Sequence, residues 1–160
     1  RDDGPVVFVD HKRLFPTAGD VPCGETLVPI GRAALRRRGG DITIATHGYM
    51  CRIADAAADR LAGDGVACEI VDLRSLAPLD AGTVCESVAR TGALVTLEEG
   101  PTACGVGAEV ACRVHAALGV RRVARVGAAP APVSSNPVLE AACLPNAARV
   151  VAAVHRLLLS

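Results

Sequence analysis

Aromatic side chains are almost absent from this chain of 160 residues, which contains two Phe, one Tyr and no Trp. Surfaces that stack nucleobases or bind sugars depend on several aromatic rings, so both kinds of site are disfavoured. Because 51% of the residues are nevertheless hydrophobic, we expect a core of Val, Leu, Ile and Ala. The chain is long enough for one ordinary globular domain.

An excess of charge of either sign is also missing, since 17 basic residues balance 17 acidic ones. Nucleic-acid-binding domains are usually basic, so the balance argues against a nucleic-acid partner. The sequence has no run of about 18 apolar residues and no signal-peptide pattern, so no membrane partner is predicted. We therefore expect a cytoplasmic location.

Paired-cysteine motifs are missing as well. The seven Cys residues include no C-x-x-C pair, and with the four His residues they form no spacing typical of a zinc site. We expect buried, unpaired thiols in a reducing compartment and no metal site. The cysteines are Cys23, Cys51, Cys68, Cys85, Cys104, Cys112 and Cys143.

The chain does contain a regular alternation of strand-like and helix-like segments. Strand patterns begin at intervals of about 25 residues, a spacing typical of βα units. This rhythm predicts one α/β domain over residues 1–160, with a mostly parallel sheet and helices on both faces. Strands are predicted at 41–46, 66–73, 93–98 and 120–127, helices at 48–65, 79–92, 105–119 and 146–159, and a short helical turn at 138–145.

The first 41 residues depart from this rhythm. An apolar run at 6–10 predicts a strand, and 26–33 predicts an edge strand because Pro29 cannot donate to a ladder. The segment 35–41 ends in a Gly-Gly pair before Asp and is predicted to be a turn. Because the chain does not begin with Met, residues 1–5 are expected to be the remnant of a linker.

Capping residues mark the ends of several predicted helices. Asp80 and Asn146 stand where helix N-caps are expected, and Gly92 and Gly119 follow two helix C-termini. These positions predict the helix bounds independently of the apolar periodicity.

The segment VTLEEGPTACGVGAEV, residues 95–110, has the strand–glycine–helix layout of a nucleotide-binding loop. The fingerprint G-x-G-x-x-G is incomplete, because no third glycine follows Gly105 and Gly107. Glu98 and Glu99 would repel a diphosphate, and no Lys follows as a P-loop requires. We predict that the loop binds no nucleotide, that its glycines allow close packing of helix on sheet, and that the two carboxylates face a neighbouring protein.

Two further groups of residues are candidates for chemistry. His47 and Tyr49 follow the strand at 41–46, at the carboxyl edge where doubly wound sheets bind ligands. A His there could act as a general acid or base, but no nucleophile motif accompanies it, and a structural or interface role is the alternative. The cationic run 11–13 could hold a phosphate or carboxylate, or form salt bridges. The residues alone predict no catalytic site.

The order of several short motifs resembles the C-terminal domain of the transketolase family. Within that family the similarity is to the beta subunit of the first component of 2-oxo acid dehydrogenase complexes, of the pyruvate, branched-chain and acetoin types. VDLRSLAPLD, residues 71–80, is the most specific motif. The resemblance implies a mostly parallel five-stranded sheet with one antiparallel edge strand. The motifs are PVVFVDHKRLF, VPIGRAALRRRGGDITIATHGYM, VACEIVDLRSLAPLD, LVTLEEGPTACGVGAEV and PVLEAACLPNAARVVAAV.

The resemblance also implies where the cofactor lies. In the family, thiamine diphosphate and its divalent metal sit between two other domains, one of which grips the diphosphate while the other binds the pyrimidine. The upstream pyrimidine-binding domain is expected to be absent from residues 1–160, so this domain should hold no cofactor or metal and should not catalyse a reaction alone. The whole protein would decarboxylate a 2-oxo acid and pass the acyl group to a lipoyl carrier.

Partners and interface residues follow from the same resemblance. The implied partners are the alpha subunit or thiamine-diphosphate-binding domain, a second copy of this chain in a dimer, and the lipoyl acyltransferase core. Glu140 and Asn146 belong to the closing segment of the family, near the place where the acyltransferase docks. The candidate interface residues are His47, Tyr49, Glu98, Glu99, Glu140 and Asn146.

Two alternatives stay open at this point. A transketolase-like or deoxyxylulose-phosphate-synthase-like enzyme shares this terminal domain, although VDLRSLAPLD and HKRLF favour the dehydrogenase branch. A free-standing oligomerisation or docking module would need no catalytic domain at all.

Overall fold

A computed structural model describes residues 2–159 and contains a central sheet of five strands. Their order is β1-β3-β2-β4-β5; β1 is antiparallel to β3, and the other neighbouring pairs are parallel. The predicted mostly parallel sheet with one antiparallel edge strand is confirmed. The strands are β1 (Ala34–Arg37), β2 (Ile42–Thr46), β3 (Cys68–Asp72), β4 (Leu94–Pro101) and β5 (Val123–Ala128).

Helices cover both faces of this sheet, as predicted. One core cluster joins α1 and α5 to the sheet, and a second joins α2 and α3 to it. The short α4 packs at one end, where its last residue Cys143 contacts Ala128 of β5. The helices are α1 (Met50–Gly63), α2 (Ala81–Thr91), α3 (Val106–Leu118), α4 (Pro137–Cys143) and α5 (Ala147–Leu159).

The strand side chains alternate between the two clusters. Ile44 and Ile70 belong to the cluster under α1 and α5, whereas their chain neighbours Ala45 and Val71 belong to the one under α2 and α3. All four are at most 2% exposed. Since successive strand residues point to opposite faces, a sheet buried on both sides needs continuous apolar runs, and these strands supply them.

The predicted helix caps are confirmed. Asp80 and Asn146 each accept a hydrogen bond from a backbone amide in the first turn of α2 and α5, at 3.1 and 3.0 Å. Gly92 and Gly119 end α2 and α3 with left-handed φ angles of 71° and 66°. Because these caps act through nearby residues, the sequence shows them directly.

The strands predicted at 6–10 and 26–33 are wrong. Val7, Phe8 and Val9 are 85–88% exposed, and neither segment joins the sheet in the described part of the chain. An apolar run becomes a strand only where a neighbouring edge accepts its hydrogen bonds, and the described edges at β1 and β5 do not pair with these residues.

The turn predicted at 35–41 is also partly wrong, because its first three residues belong to β1. Arg36 and Arg37 form ion pairs with Asp55 and Asp59 of α1, at 2.6 and 2.5 Å. Charged residues are common on edge strands, and here the carboxylates of a neighbouring helix compensate the charge. The run of arginines therefore does not prevent a strand.

The prediction of buried thiols is right for three cysteines and wrong for three others. Burial, reinforced by Asp72, raises the pKa of Cys51 to about 12, and burial raises the pKa of Cys68 to about 11. Both thiols stay protonated and unreactive at neutral pH. All seven are unpaired: Cys51, Cys68 and Cys143 are buried, Cys85 is intermediate, and Cys23, Cys104 and Cys112 are exposed.

By length and composition alone, the 23 residues Pro137–Leu159 could cross a membrane, with a mean hydropathy of 1.3. In the structure this segment is divided into α4 and α5, with Pro145 between them. Val150 and Val154 of α5 are fully buried against the sheet. Core helices commonly pass the same composition test, and one side of α5 packs in this way, although only 33% of the apolar window is buried.

Candidate functional site

The carboxyl ends of β2 and β4 lie side by side at the point where the chain connections diverge. From β2 the chain passes to β3 on one side, and β4 lies on the other side of β2. Open α/β sheets usually bind ligands at such a point. His47 directly follows β2, and Glu98 and Glu99 lie in β4, so three of the predicted residues share this edge.

A side chain from the N-terminal segment fills part of this edge. The ring of His11 stacks on Tyr49, with ring centroids 4.9 Å apart and planes inclined by 14°. Nδ1 of His11 accepts a hydrogen bond from the backbone amide of Arg13 at 3.2 Å. The neutral ring therefore carries its proton on Nε2, which donates to Oε2 of Glu99 at 2.8 Å.

Arg13 extends this group of contacts to α4. Its guanidinium carbon lies 5.7 Å from the centre of the Tyr49 ring, and Nη2 donates to Oε1 of Glu140 at 3.0 Å. The side chains of these two pairs remain 27–48% exposed, and pairs at this exposure are individually weak. We call the five residues the edge cluster: His11, Arg13, Tyr49, Glu99 and Glu140.

His47 lies beside the edge cluster and is partly buried. Burial disfavours the charged imidazolium and lowers the pKa of His47, although the negative charges of Glu98, Asp72 and Glu99 oppose the shift. The ordinary pKa of histidine is about 6.5, so His47 is neutral near pH 7. It adds a polar group but no charge to the edge.

Glu98 explains the glycine-rich loop that follows β4. Its side chain is 4% exposed, and Oε1 accepts a hydrogen bond from the backbone amide of Gly107 at 3.1 Å. In nucleotide-binding loops a phosphate takes this position at the helix N-terminus, whereas here the carboxylate of the protein takes it. A Cβ atom on Gly105 or Gly107 would overlap Glu98 or Thr96, which confirms the predicted close packing.

The burial of Glu98 also corrects the expectation that it faces a neighbouring protein. Its carboxylate points to the first turn of α3 and presents almost no surface to a partner. Asn146 lies apart from the edge cluster: it is exposed and caps α5. The structure therefore brings Tyr49, Glu99 and Glu140 together, places His47 beside them, and leaves Asn146 elsewhere.

The edge does not fit thiamine diphosphate or its metal. The helix N-terminus that could hold a diphosphate is occupied by Glu98, and Glu99 adds a second negative charge nearby. Among residues 2–159, no group of three or more His, Cys, Asp and Glu side chains could hold a metal ion. The chemistry available at this edge is ion pairing and hydrogen bonding.

A family model for the C-terminal domain of transketolase matches residues 31–150. The chain belongs to this family. The beta subunit of acetoin:2,6-dichlorophenolindophenol oxidoreductase from Cupriavidus necator is 40% identical over 159 residues, which cover 98% of this chain and 47% of that protein. The beta subunit of the pyruvate dehydrogenase E1 component from Bacillus subtilis is 34% identical over 161 residues, covering 99% and 50%.

Solved structures agree with this assignment of the transketolase C-terminal domain. A split-gene transketolase, described as an inactive beta4 tetramer, superposes with a TM-score of 0.77 at 34% identity, covering 82% of this chain and 44% of that chain. A 2-oxoglutarate:ferredoxin oxidoreductase from Magnetococcus marinus, at 12% identity and a TM-score of 0.55, covers 79% and 19% and shows the fold alone. The chain spans about half the length of the two beta subunits named above.

Sequence reasoning found the cationic residues of the edge cluster but not their partners. The run 11–13 was compatible with anion binding or with salt bridges, and the structure of this transketolase C-terminal domain shows a salt bridge from Arg13 and a hydrogen bond from His11. His11 and Arg13 are 88 and 127 residues away from Glu99 and Glu140. No local pattern links positions so far apart, since only the folded sheet brings them within hydrogen-bonding distance.

Proposed function

We propose that this domain is the assembly and partner-docking part of a beta subunit in the first component of a 2-oxo acid dehydrogenase. The observation that carries the proposal is its similarity, over 98% or more of its length, to beta subunits of an acetoin oxidoreductase and a pyruvate dehydrogenase. The whole protein would use thiamine diphosphate and a divalent metal, held outside the described residues, to decarboxylate a 2-oxo acid. It would pass the acyl group to a lipoyl carrier.

Two exposed apolar surfaces support a docking role. Val7, Phe8 and Val9 are 85–88% exposed, and Val138 and Leu139 of α4 are 76% and 58% exposed. Clustered apolar side chains on a surface commonly mark protein interaction sites. We assign the first surface to the alpha subunit or thiamine-diphosphate-binding domain, and the second to the lipoyl acyltransferase core.

The charges around the second surface have a matching role in this proposal. Glu140 follows Leu139 in α4 and keeps 35% of its side chain exposed, so it can guide a cationic partner to the apolar surface. The described beta4 tetramer of the split-gene transketolase supports self-association as well. We include a second copy of this chain among the partners, and a cytoplasmic location, where its unpaired thiols would stay reduced.

A transketolase is the second candidate, because the split-gene transketolase is 34% identical to this chain. Its reaction is a transfer of ketol groups between sugar phosphates, without a lipoyl carrier. The two candidates share the same terminal domain and differ in what the whole enzyme accepts.

The full-length protein, produced with its alpha subunit, thiamine diphosphate and Mg²⁺, distinguishes the candidates. We expect reduction of 2,6-dichlorophenolindophenol in the presence of pyruvate, a branched-chain 2-oxo acid or acetoin. Transfer between xylulose 5-phosphate and ribose 5-phosphate is the parallel assay. Ketol transfer without any reaction of the 2-oxo acids or acetoin would overturn the proposal and favour a transketolase.

A further inference from the structure

The short 3-10 turn Lys12–Leu14 lies on the carboxyl edge without burying any of its residues. Its backbone hydrogen bonds are local: the amides of Leu14, Phe15 and Thr17 donate to carbonyls three residues earlier, at 2.8, 3.2 and 2.9 Å. These bonds shape the turn but do not attach it to the sheet. Attachment therefore depends on side chains.

Side chains attach the turn to three separate elements. His11 stacks on Tyr49, which directly precedes α1, and donates to Glu99 of β4. Arg13 lies over the same ring and donates to Glu140 of α4. Tyr49 is thus the central member, contacted by His11 at the start of the turn and by Arg13 in its middle.

The residues after the turn extend this attachment. Thr17 accepts a hydrogen bond from Nη1 of Arg52 at 3.3 Å. Leu14 and Thr17 also line a cavity of about 280 Å³ together with Cys51 and Arg52, at the start of α1. Two residues of the segment 11–17 therefore form part of the wall of this partly open pocket.

We propose that residues 11–17 form a latch, a segment of this chain that occupies the carboxyl edge of its own sheet, where open α/β sheets usually bind ligands. The edge recognises a short peptide through an aromatic stack and two carboxylates, and the occupant is the chain's own His-Lys-Arg-Leu turn. Because its side-chain pairs are partly exposed and its backbone bonds are local, the latch opens without unfolding of the core.

The latch also determines how Glu140 meets a partner, a consequence that rests on the docking role proposed above. Arg13 compensates the charge of Glu140 while the latch is closed. A cationic partner at Glu140 competes with Arg13, so docking and opening favour each other. The latch itself does not depend on that role.

Hydrogen exchange in the full-length protein tests the latch, with mass spectrometry of peptides that cover residues 11–17 and β2. The variants are Arg13→Ala and Glu140→Gln, both of which change exposed side chains far from the core. We expect the amides of the turn to exchange about three- to tenfold faster, because an isolated helical turn is unstable and its internal hydrogen bonds break more often once its side-chain contacts are lost. The amide of Thr43, bonded to Ala93 at 2.9 Å, reports the core and should change less than twofold.

Lys12→Ala is the matched control, because Lys12 lies in the same turn with an exposed side chain. It should leave exchange within twofold of the unmodified protein. The double variant Arg13→Glu/Glu140→Arg, which swaps the two charges, should restore the slow hydrogen exchange that is lost in Arg13→Glu alone. The proposal is overturned if Arg13→Ala and Glu140→Gln leave hydrogen exchange in the turn unchanged, or if Lys12→Ala speeds it up as much as they do. It is also overturned if exchange at the amide of Thr43 becomes faster by the same factor.

Discussion

The two ends of the sheet carry polar groups of very different character. At the carboxyl end, the edge cluster consists of partly exposed pairs between distant segments. At the amino end, Glu69 of β3 is 1% exposed and accepts hydrogen bonds from Ser87, at 2.6 Å, and from Arg90. The hydroxyl oxygen of Thr43 lies 2.7 Å from the hydroxyl oxygens of both Ser87 and Thr91. We call these five residues the amino-end network.

The network has one consistent arrangement of donors. Each hydroxyl can donate to the next group, from Thr91 to Thr43, from Thr43 to Ser87 and from Ser87 to the carboxylate of Glu69. A buried charge is tolerated only when it is paired and hydrogen-bonded, and this arrangement meets that condition. The edge cluster has no such requirement, because water can replace each of its partners.

The comparison shows that one sheet carries buried polar groups at its amino end and partly exposed ones at its carboxyl end. The amino-end network joins β2, β3 and α2, elements that the core already holds together. The edge cluster joins the N-terminal segment to α4, where a partner or solvent can compete. The amino-end network consists of buried polar groups whose partners water cannot replace. The edge cluster, at the carboxyl end, consists of partly exposed groups whose partners water can replace.

The largest expected effect comes from Gly39→Ala, next to the amino-end network. A Cβ atom on Gly39 would overlap the backbone of Cys68 at the start of β3, and backbone cannot move aside as a flexible side chain can. We expect a loss of about 3 kcal/mol in the free energy of unfolding, measured by urea denaturation.

Gly40→Ala is the control for this change, since a Cβ atom added to Gly40 would have no neighbouring atom within 4 Å. It should change the free energy of unfolding by less than about 1 kcal/mol. Equal effects of the two substitutions would show that the close approach of Gly39 to β3 is unimportant.

Glu69→Gln is expected to cause an intermediate loss in the free energy of unfolding, and the size of this loss should depend on pH. Burial raises the pKa of Glu69, but hydrogen bonds from Ser87, Arg90 and Gly39 outweigh it, so the pKa lies below its ordinary value. A carboxyl with a lowered folded-state pKa stabilises the fold above its unfolded pKa of about 4.3. That contribution declines as the pH falls from about 4.3 through the folded-state pKa.

The variant should therefore lose about 2 kcal/mol at pH 7, and the difference from the unmodified protein should shrink below about pH 4.3. Urea denaturation of both proteins between pH 3 and pH 7 measures this. A difference that is independent of pH would show that Glu69 acts through packing rather than through its charge.

The smallest effect is expected at the edge cluster, where Glu99→Gln should cost less than about 1 kcal/mol in the free energy of unfolding. The Glu99 side chain is 34% exposed, so water can solvate its partner His11 after the change. Glu109→Gln, which alters an exposed i,i+4 pair with Arg113, provides a matched surface control in the same denaturation experiment. A loss above 2 kcal/mol for Glu99→Gln would place the edge cluster among the residues that stabilise the core.

The regular βα part was predictable because its signals are local. The caps at Asp80 and Asn146 each bond a backbone amide three residues further along the chain. The region before residue 42 was predicted wrongly for the opposite reason. The run at 6–10 has strand-like residues without a neighbouring strand among the described residues, whereas 34–37 has arginines but pairs with β3.

By itself, the sequence determined the fold class, most of the element bounds, the missing third glycine of the loop and the family resemblance. Each of these depends on periodicity, on spacing or on contacts between near neighbours. Only the tertiary structure decided that Glu98 caps α3 from inside, and that His11 and Arg13 meet Glu99 and Glu140. The first contact depends on how α3 packs on β4, and the other two depend on how segments far apart in the chain pack around the sheet.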